Sequence, residues 1–264
     1  MPRRSVLTPA QKVALLALPS SKLDFERYYT FTSNEIFIIN QKRGLHNRIG
    51  FALMLCLIRY PGITYDADTV VEYNMMQFIK NQLSIQNEID MSLYFKRETT
   101  RREHLVEIQN LFGYRSFGAK MYENYLETLL PTAKATDNGL LVAHKLVQLL
   151  RDDMIILPSF SVIERVCAET ITTGTKWVYE QLLESFTKQH LESLQKLFEI
   201  KSGTNISYLG WLQERHFVAN PKYILEQIEK LTFIQTLNLP KNIAHSVHSN
   251  RLIRSEERRV GKEC

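Results

Sequence analysis

Lys42, Arg43, His46, Asn47 and Arg48 fall within seven residues that contain no acid. They lead into the apolar segment Leu45–Tyr60. Basic and amide side chains at the start of a helix, together with its first free N–H groups, can hold a phosphate. A solvated turn carrying ordinary helix-end charge accounts for the same residues equally well. A second basic cluster, Lys96, Arg97, Arg101 and Arg102, is interleaved with Glu98, Glu103 and Glu107. Three- and four-residue spacing favours pairing within one helix, so intrahelical ion pairs are the stronger reading there. A helical arginine such as Arg101 or Arg102 nonetheless has the reach and the bidentate geometry for a guanine edge.

Catalytic patterns do not emerge. The sequence contains no Gly-rich phosphate loop, no GxSxG elbow and no HExxH pair. The histidines are scattered singly, apart from His245 and His248, which lack nearby ligand partners other than Cys264. A metal site is not expected from that set. Asp152-Asp153 and Glu256-Glu257 are sequence neighbours, which do not face one another on a helix, and read as solvated surface. No cofactor is implied. Lys176-Trp177, Arg215-His216 and Lys222-Tyr223 set aromatic and basic groups side by side, but Trp177 and Trp211 read as core anchors.

Composition sets the frame for these residues. The chain has 264 residues, 44% hydrophobic and 23% charged, which is the balance of an ordinary folded protein. Its net charge is +5, with +3 in residues 1–133 (16 basic, 13 acidic) and +2 in residues 134–254 (14 basic, 12 acidic). That is a mild lean toward polyanionic partners. The three cysteines, Cys56, Cys167 and Cys264, are few and far apart. They argue for a reducing, cytoplasmic setting and against a disulfide framework. No apolar run approaches a membrane span, and the basic start is not followed by the pattern of a signal peptide.

The elements that position these groups read as helices. Thr8-Pro9-Ala10-Gln11 is a capping-box start, and Thr32 or Ser33 starts another helix with Glu35 in its first turn. Leu45–Tyr60 is apolar on every side and reads as a central helix stopped by Pro61-Gly62. Further helices are expected over Asp68–Leu83, Ile89–Phe112 (one or two), Met121–Leu130, Leu140–Leu150, Thr175–Phe186, Thr187–Ile200, Ser207–Arg215 and Pro221–Leu237. Ser159 or Ser161 caps one more. The fold class is all-α: two tandem helical bundles, with helix-turn-helix-like pairs within Val162–Trp177 and Tyr208–Leu225. The first domain is expected over residues 1–130, a linker over 131–139 and the second domain over 140–254.

The opening Met1–Gln11 resembles that of transposases of the Tn-three family of replicative bacterial transposons, and so do Arg43–Gly62, Arg101–Leu105 and Leu111–Arg115. Trp211-Leu212 and Ile228–Leu231 fit more loosely. Lys42 and Leu45 depart from the family pattern, which leads us to expect arginine and a small acidic residue there. The resemblance implies N-terminal helical domains that bind the terminal inverted repeats of a transposon. It also implies a downstream RNase-H-like domain with an Asp-Asp-Glu triad and magnesium, which this chain stops short of, so that it binds DNA ends and cuts nothing. Self-association would then run through the remainder of the transposase. On this reading Arg43, His46, Asn47, Arg48, Arg101 and Arg102 face DNA. The alternative is a helical protein-interaction or regulatory module without DNA contact. Residues 255–264 do not resemble the family and read as a non-native tail, against the simpler reading of a charged terminal helix.

Overall fold

The computed structural model describes residues 5–214, 220–240 and 243–252. The tail at 255–264 and the Arg215-His216 pair lie outside them. The described chain is mostly α-helical. Its helices are α1 (Pro9–Leu15), α2 (Lys22–Tyr29), α3 (Ser33–Asn40), α4 (Leu45–Arg59), α5 (Tyr73–Gln82), α6 (Ser92–Phe95) and α7 (Glu98–Phe112), then α8 (Ala119–Ala135), α9 (Gly139–Asp152), α10 (Phe160–Glu184), α11 (Lys188–Gln195), α12 (Tyr208–Gln213) and α13 (Pro221–Thr236). Two dipeptide strands, β1 (Arg115–Ser116) and β2 (Ile155–Ile156), pair in parallel. Among the described residues, no helix is long and apolar enough to cross a membrane.

Two compact units divide the chain: residues 1–130 with 138–171, and residues 131–137 with 172–264. The first is organised by α4, in which ten consecutive residues, Ile49–Ile58, are buried. A helix that is apolar all round must be surrounded, and α2, α3, α5, α6 and α7 supply the surround. Gly50 permits one of these contacts, because a Cβ there would meet the Tyr94 ring at 2.4 Å. A second apolar cluster in this unit gathers Leu7 and Leu15 with Leu129, Leu146, Leu150 and Ile163. Glu164 fastens the N-terminal segment to it, accepting from the Leu7 N–H at 3.3 Å and from Lys12 Nζ at 2.8 Å. The capping box at Thr8 and the one at Thr32 both form.

In the second unit Trp211 is buried, stands edge-on to Phe233 at 6.0 Å and donates from Nε1 to Glu226 at 3.1 Å. Tyr208 stacks on Phe233 at 4.4 Å. Trp177, by contrast, stays partly exposed, with Lys134 Nζ 3.9 Å from its ring centroid.

Three readings of the sequence meet a different structure. The segment 131–139 is not an extended connection: α8 runs through Pro131 to Ala135 and α9 begins at Gly139. Residues 138–171 belong to the same compact unit as 1–130. Proline removes only one helical N–H donor, and buried Leu129 and Ala133 on either side hold the helix in register. The pair placed within Val162–Trp177 is one continuous helix. Gly174 does not break it, because it is the point where the helix approaches Ala133 so closely that a Cβ would lie 2.7 Å from that carbonyl. The helix expected from Asp68 begins only at Tyr73.

Candidate nucleic-acid interface

Gly44 builds the basic turn. Its φ of +87° belongs to the region glycine tolerates, and it reverses the chain between α3 and α4. No side chain caps α4, and the first intrahelical bond runs from the Arg48 N–H to the Gly44 carbonyl at 3.1 Å. The N–H groups of Leu45, His46 and Asn47 therefore face outward from the positive end of the helix.

Two of the basic-turn side chains shape the turn itself. Asn47 Nδ2 donates to the Arg43 carbonyl at 2.8 Å, and Arg48 Nε donates to the Lys42 carbonyl at 3.0 Å. Lys42 is engaged elsewhere. Its ammonium pairs with Glu107 of α7 and lies 4.6 Å from the Phe51 ring centroid, leaving its side chain 13% exposed. Arg43 is exposed, and His46 and Arg48 are half-buried. Among the described residues none of these three pairs with a carboxylate at salt-bridge distance. The turn thus presents Arg43, His46 and the terminal guanidinium nitrogens of Arg48 beside a helix N-terminus.

The structure does not fold Arg101 and Arg102 into one face with each other. Adjacent helical positions point about 100° apart. Arg101 turns toward Asp66 at 4.0 Å and the Phe95 ring at 5.5 Å, and its Nε is buried without a hydrogen-bond partner. Arg102 extends into solvent and pairs with Glu98 at 2.6 Å, the intrahelical pairing that the spacing favours. The hydroxyl and backbone N–H of Ser92 hold the Asp90 carboxyl below its usual range, with smaller contributions from Lys96 and His46.

His104, one turn along α7 from Arg101, lies beneath the candidate surface. It is buried, edge-on to Phe51 at 5.1 Å, with Nδ1 3.2 Å from the Tyr94 hydroxyl. Burial holds the imidazole down to about 4, with Lys42 adding to the depression. The folded chain thus keeps it neutral, while the unfolded chain protonates near 6.5. Stability is therefore complete above about pH 6.5 and declines as pH falls toward 4, since the unfolded state takes up the extra proton. Urea unfolding from pH 6.5 to 5 should show a loss approaching about 1 kcal/mol per pH unit. His104→Gln, which cannot titrate, should remove that part of the slope; an unchanged slope would mean the proton is taken up elsewhere.

With this geometry in view, residues 6–170 match a protein family described as a domain of unknown function, DUF4158. The chain belongs to that family. It is also 39% identical over 254 residues to the transposase for transposon Tn3926 of Escherichia coli. Identity is 38% to the transposase for transposon Tn21 of Escherichia coli and 36% to that for transposon Tn501 of Pseudomonas aeruginosa. Each alignment covers 96% of this chain and 26% of the relative. The chain therefore spans about a quarter of the length of the curated relatives it matches. The likeness to transposases of the Tn-three family, carried by Met1–Gln11, Arg43–Gly62, Arg101–Leu105 and Leu111–Arg115, extends over nearly the whole sequence.

Proposed function

We propose that this chain binds duplex DNA as a non-catalytic, N-terminal part of a transposase, recognising the terminal inverted repeats of its transposon. The observation that carries the reading is the turn before α4. There Arg43, His46 and Arg48 stand beside outward-facing N–H groups with no carboxylate at salt-bridge distance among the described residues, in a chain similar along 96% of its length to transposases. Phosphate contacts from such a turn position a duplex, and base contacts from nearby side chains supply the sequence preference. Asn47 holds the turn closed and Arg102 is the helical side chain free enough to extend toward a base. Arg101 is the least available of the six. Two compact units on one chain would strengthen binding through the effective concentration of the second.

The test is fluorescence anisotropy of the purified chain with two labelled duplexes of equal length, at two salt concentrations. One duplex carries the inverted repeat that flanks the encoding gene, and the other a scrambled sequence. Tighter binding to the repeat that persists at the higher salt is expected. Equal, salt-fragile binding to both would reduce the turn to a weakly basic surface, and absence of binding would favour a protein-interaction module.

A further inference from the structure

Asn34, Phe37, Asn40 and Gln41 share one side of α3. At about 100° per residue they fall, with Ser33, within an arc of about 120°, and all five are exposed. Phe37 is 64% exposed. The opposite side is fixed to the core. Ile39 is buried there, and so is Glu35, the one charged residue of the helix. Glu35 pairs with Arg59 of α4 and accepts from the Thr32 N–H at 2.7 Å. The helix thus presents an uncharged face of amides around a phenyl ring, held from beneath. The exposed positions of α2, by contrast, carry Lys22, Asp24, Glu26 and Arg27. Among the described residues, no hydrogen bond ties the side-chain amides of Asn34, Asn40 or Gln41 to another group.

Such a face matches the edges of A·T pairs. A carboxamide sets a donor beside an acceptor, and adenine presents their complements, N7 and the N6 amino group, in the major groove. An exposed apolar side chain fits the thymine methyl in the same groove. The groove admits a helix, and the eight residues of α3 rise about 12 Å, enough to pass about three to four base pairs. Position on the chain selects duplex DNA over a protein partner. The C-terminal end of α3 runs directly into the basic turn, with Gln41 two positions from Arg43. Phosphate contacts at that turn fix register and orientation and would set α3 beside a groove, where amides discriminate between bases. The carboxylate that would repel the phosphates is the one turned inward.

We propose that α3 is a base-reading helix, on which Asn34 and Gln41 pair with adenine and Phe37 meets thymine methyls in the major groove. The proposal rests on the DNA reading and adds to it the base pairs that are read. Its test is anisotropy titration over a range of salt with the inverted-repeat duplex and with the same duplex carrying 7-deazaadenine, which replaces the N7 acceptor by C–H and keeps the base pairing. The unaltered chain should bind the modified duplex at least about tenfold more weakly, at the same slope of log affinity against log salt. Asn34→Ala combined with Gln41→Ala should weaken binding to the unmodified duplex by a similar factor, at unaltered salt slope and melting temperature, and should no longer distinguish the two duplexes. Equal binding of both duplexes by the unaltered chain, or a double variant that still distinguishes them, would overturn the proposal while the salt-dependent affinity upheld the DNA reading. Absence of duplex binding at every salt concentration would overturn both and leave the α3 face to a protein partner.

Discussion

Replacing Arg43 and Arg48 together with alanine is expected to weaken duplex binding about thirtyfold near 0.15 M salt. The figure follows from counterion release: each phosphate contact contributes about 0.9 to the slope of log affinity against log salt, hence about a factor of five per contact at that concentration. The slope itself should become shallower by about two. The two residues differ in what else they do, and that difference makes the experiment discriminating. Arg43 is exposed and among the described residues only its backbone carbonyl is engaged, by Asn47, so Arg43→Ala alone should leave the melting temperature where it was. Arg48 also closes the turn through the Lys42 carbonyl, so Arg48→Ala should lower stability by about 1 kcal/mol. A fall in affinity at constant salt slope would mean that the turn acts by shaping a neighbouring surface. An unchanged affinity for the double variant would remove the turn from the interface.

Lys42 sharpens the same argument. By residue type it belongs with Arg43 and Arg48, yet its pairing with Glu107 and its seat over Phe51 withhold it from solvent. That partner lies sixty-five positions away in sequence. Local spacing identifies which residues are basic and that they precede a buried helix; long-range packing decides which charges remain available. Arg101 illustrates the point from the other cluster, since its neighbours Asp66 and Phe95 come from separate segments.

The same division runs through the fold. The apolar run before Pro61 and the capping boxes at Thr8 and Thr32 are local signals, and the helices they mark form where the residues place them. The continuity of α8 and α10 is not local. A proline in one and a glycine in the other look like punctuation, but each is absorbed by packing: Pro131 between buried neighbours, Gly174 against the Ala133 backbone. For α13 the sequence yields a helix but not its orientation, because hydrophobic periodicity assumes that the more apolar face turns inward. Trp211 reverses that by drawing Glu226 and Lys230 to itself through its indole N–H and its ring.

The largest expected effect on folding comes from Gly50→Ala. Gly50 sits within α4, where alanine alone would gain about 0.5–1 kcal/mol of helix propensity. Against that gain stands the Tyr94 ring, whose Cδ2, Cε2 and Cγ would lie 2.4–2.6 Å from the new methyl group. The ring has nowhere to retreat. Tyr94 is 1% exposed, stacked on Tyr65 at 5.9 Å, edge-on to Phe95 at 5.5 Å, and tied by its hydroxyl to His104. Overpacking of this kind costs about 1–3 kcal/mol, and a rigid aromatic held on three sides belongs at the upper end. At about 2–4 °C per kcal/mol, the melting temperature should fall by about 6–10 °C. Gly118→Ala, which meets nothing within 4 Å, should change it by no more than about 2 °C. Pairing Gly50→Ala with Tyr94→Leu supplies the decisive comparison. If the clash is the cause, the double variant should lose less stability than the sum of the two single losses. Simple additivity would place the cost of Gly50→Ala in the α4 backbone, and Tyr94 would then not be the contact that requires glycine.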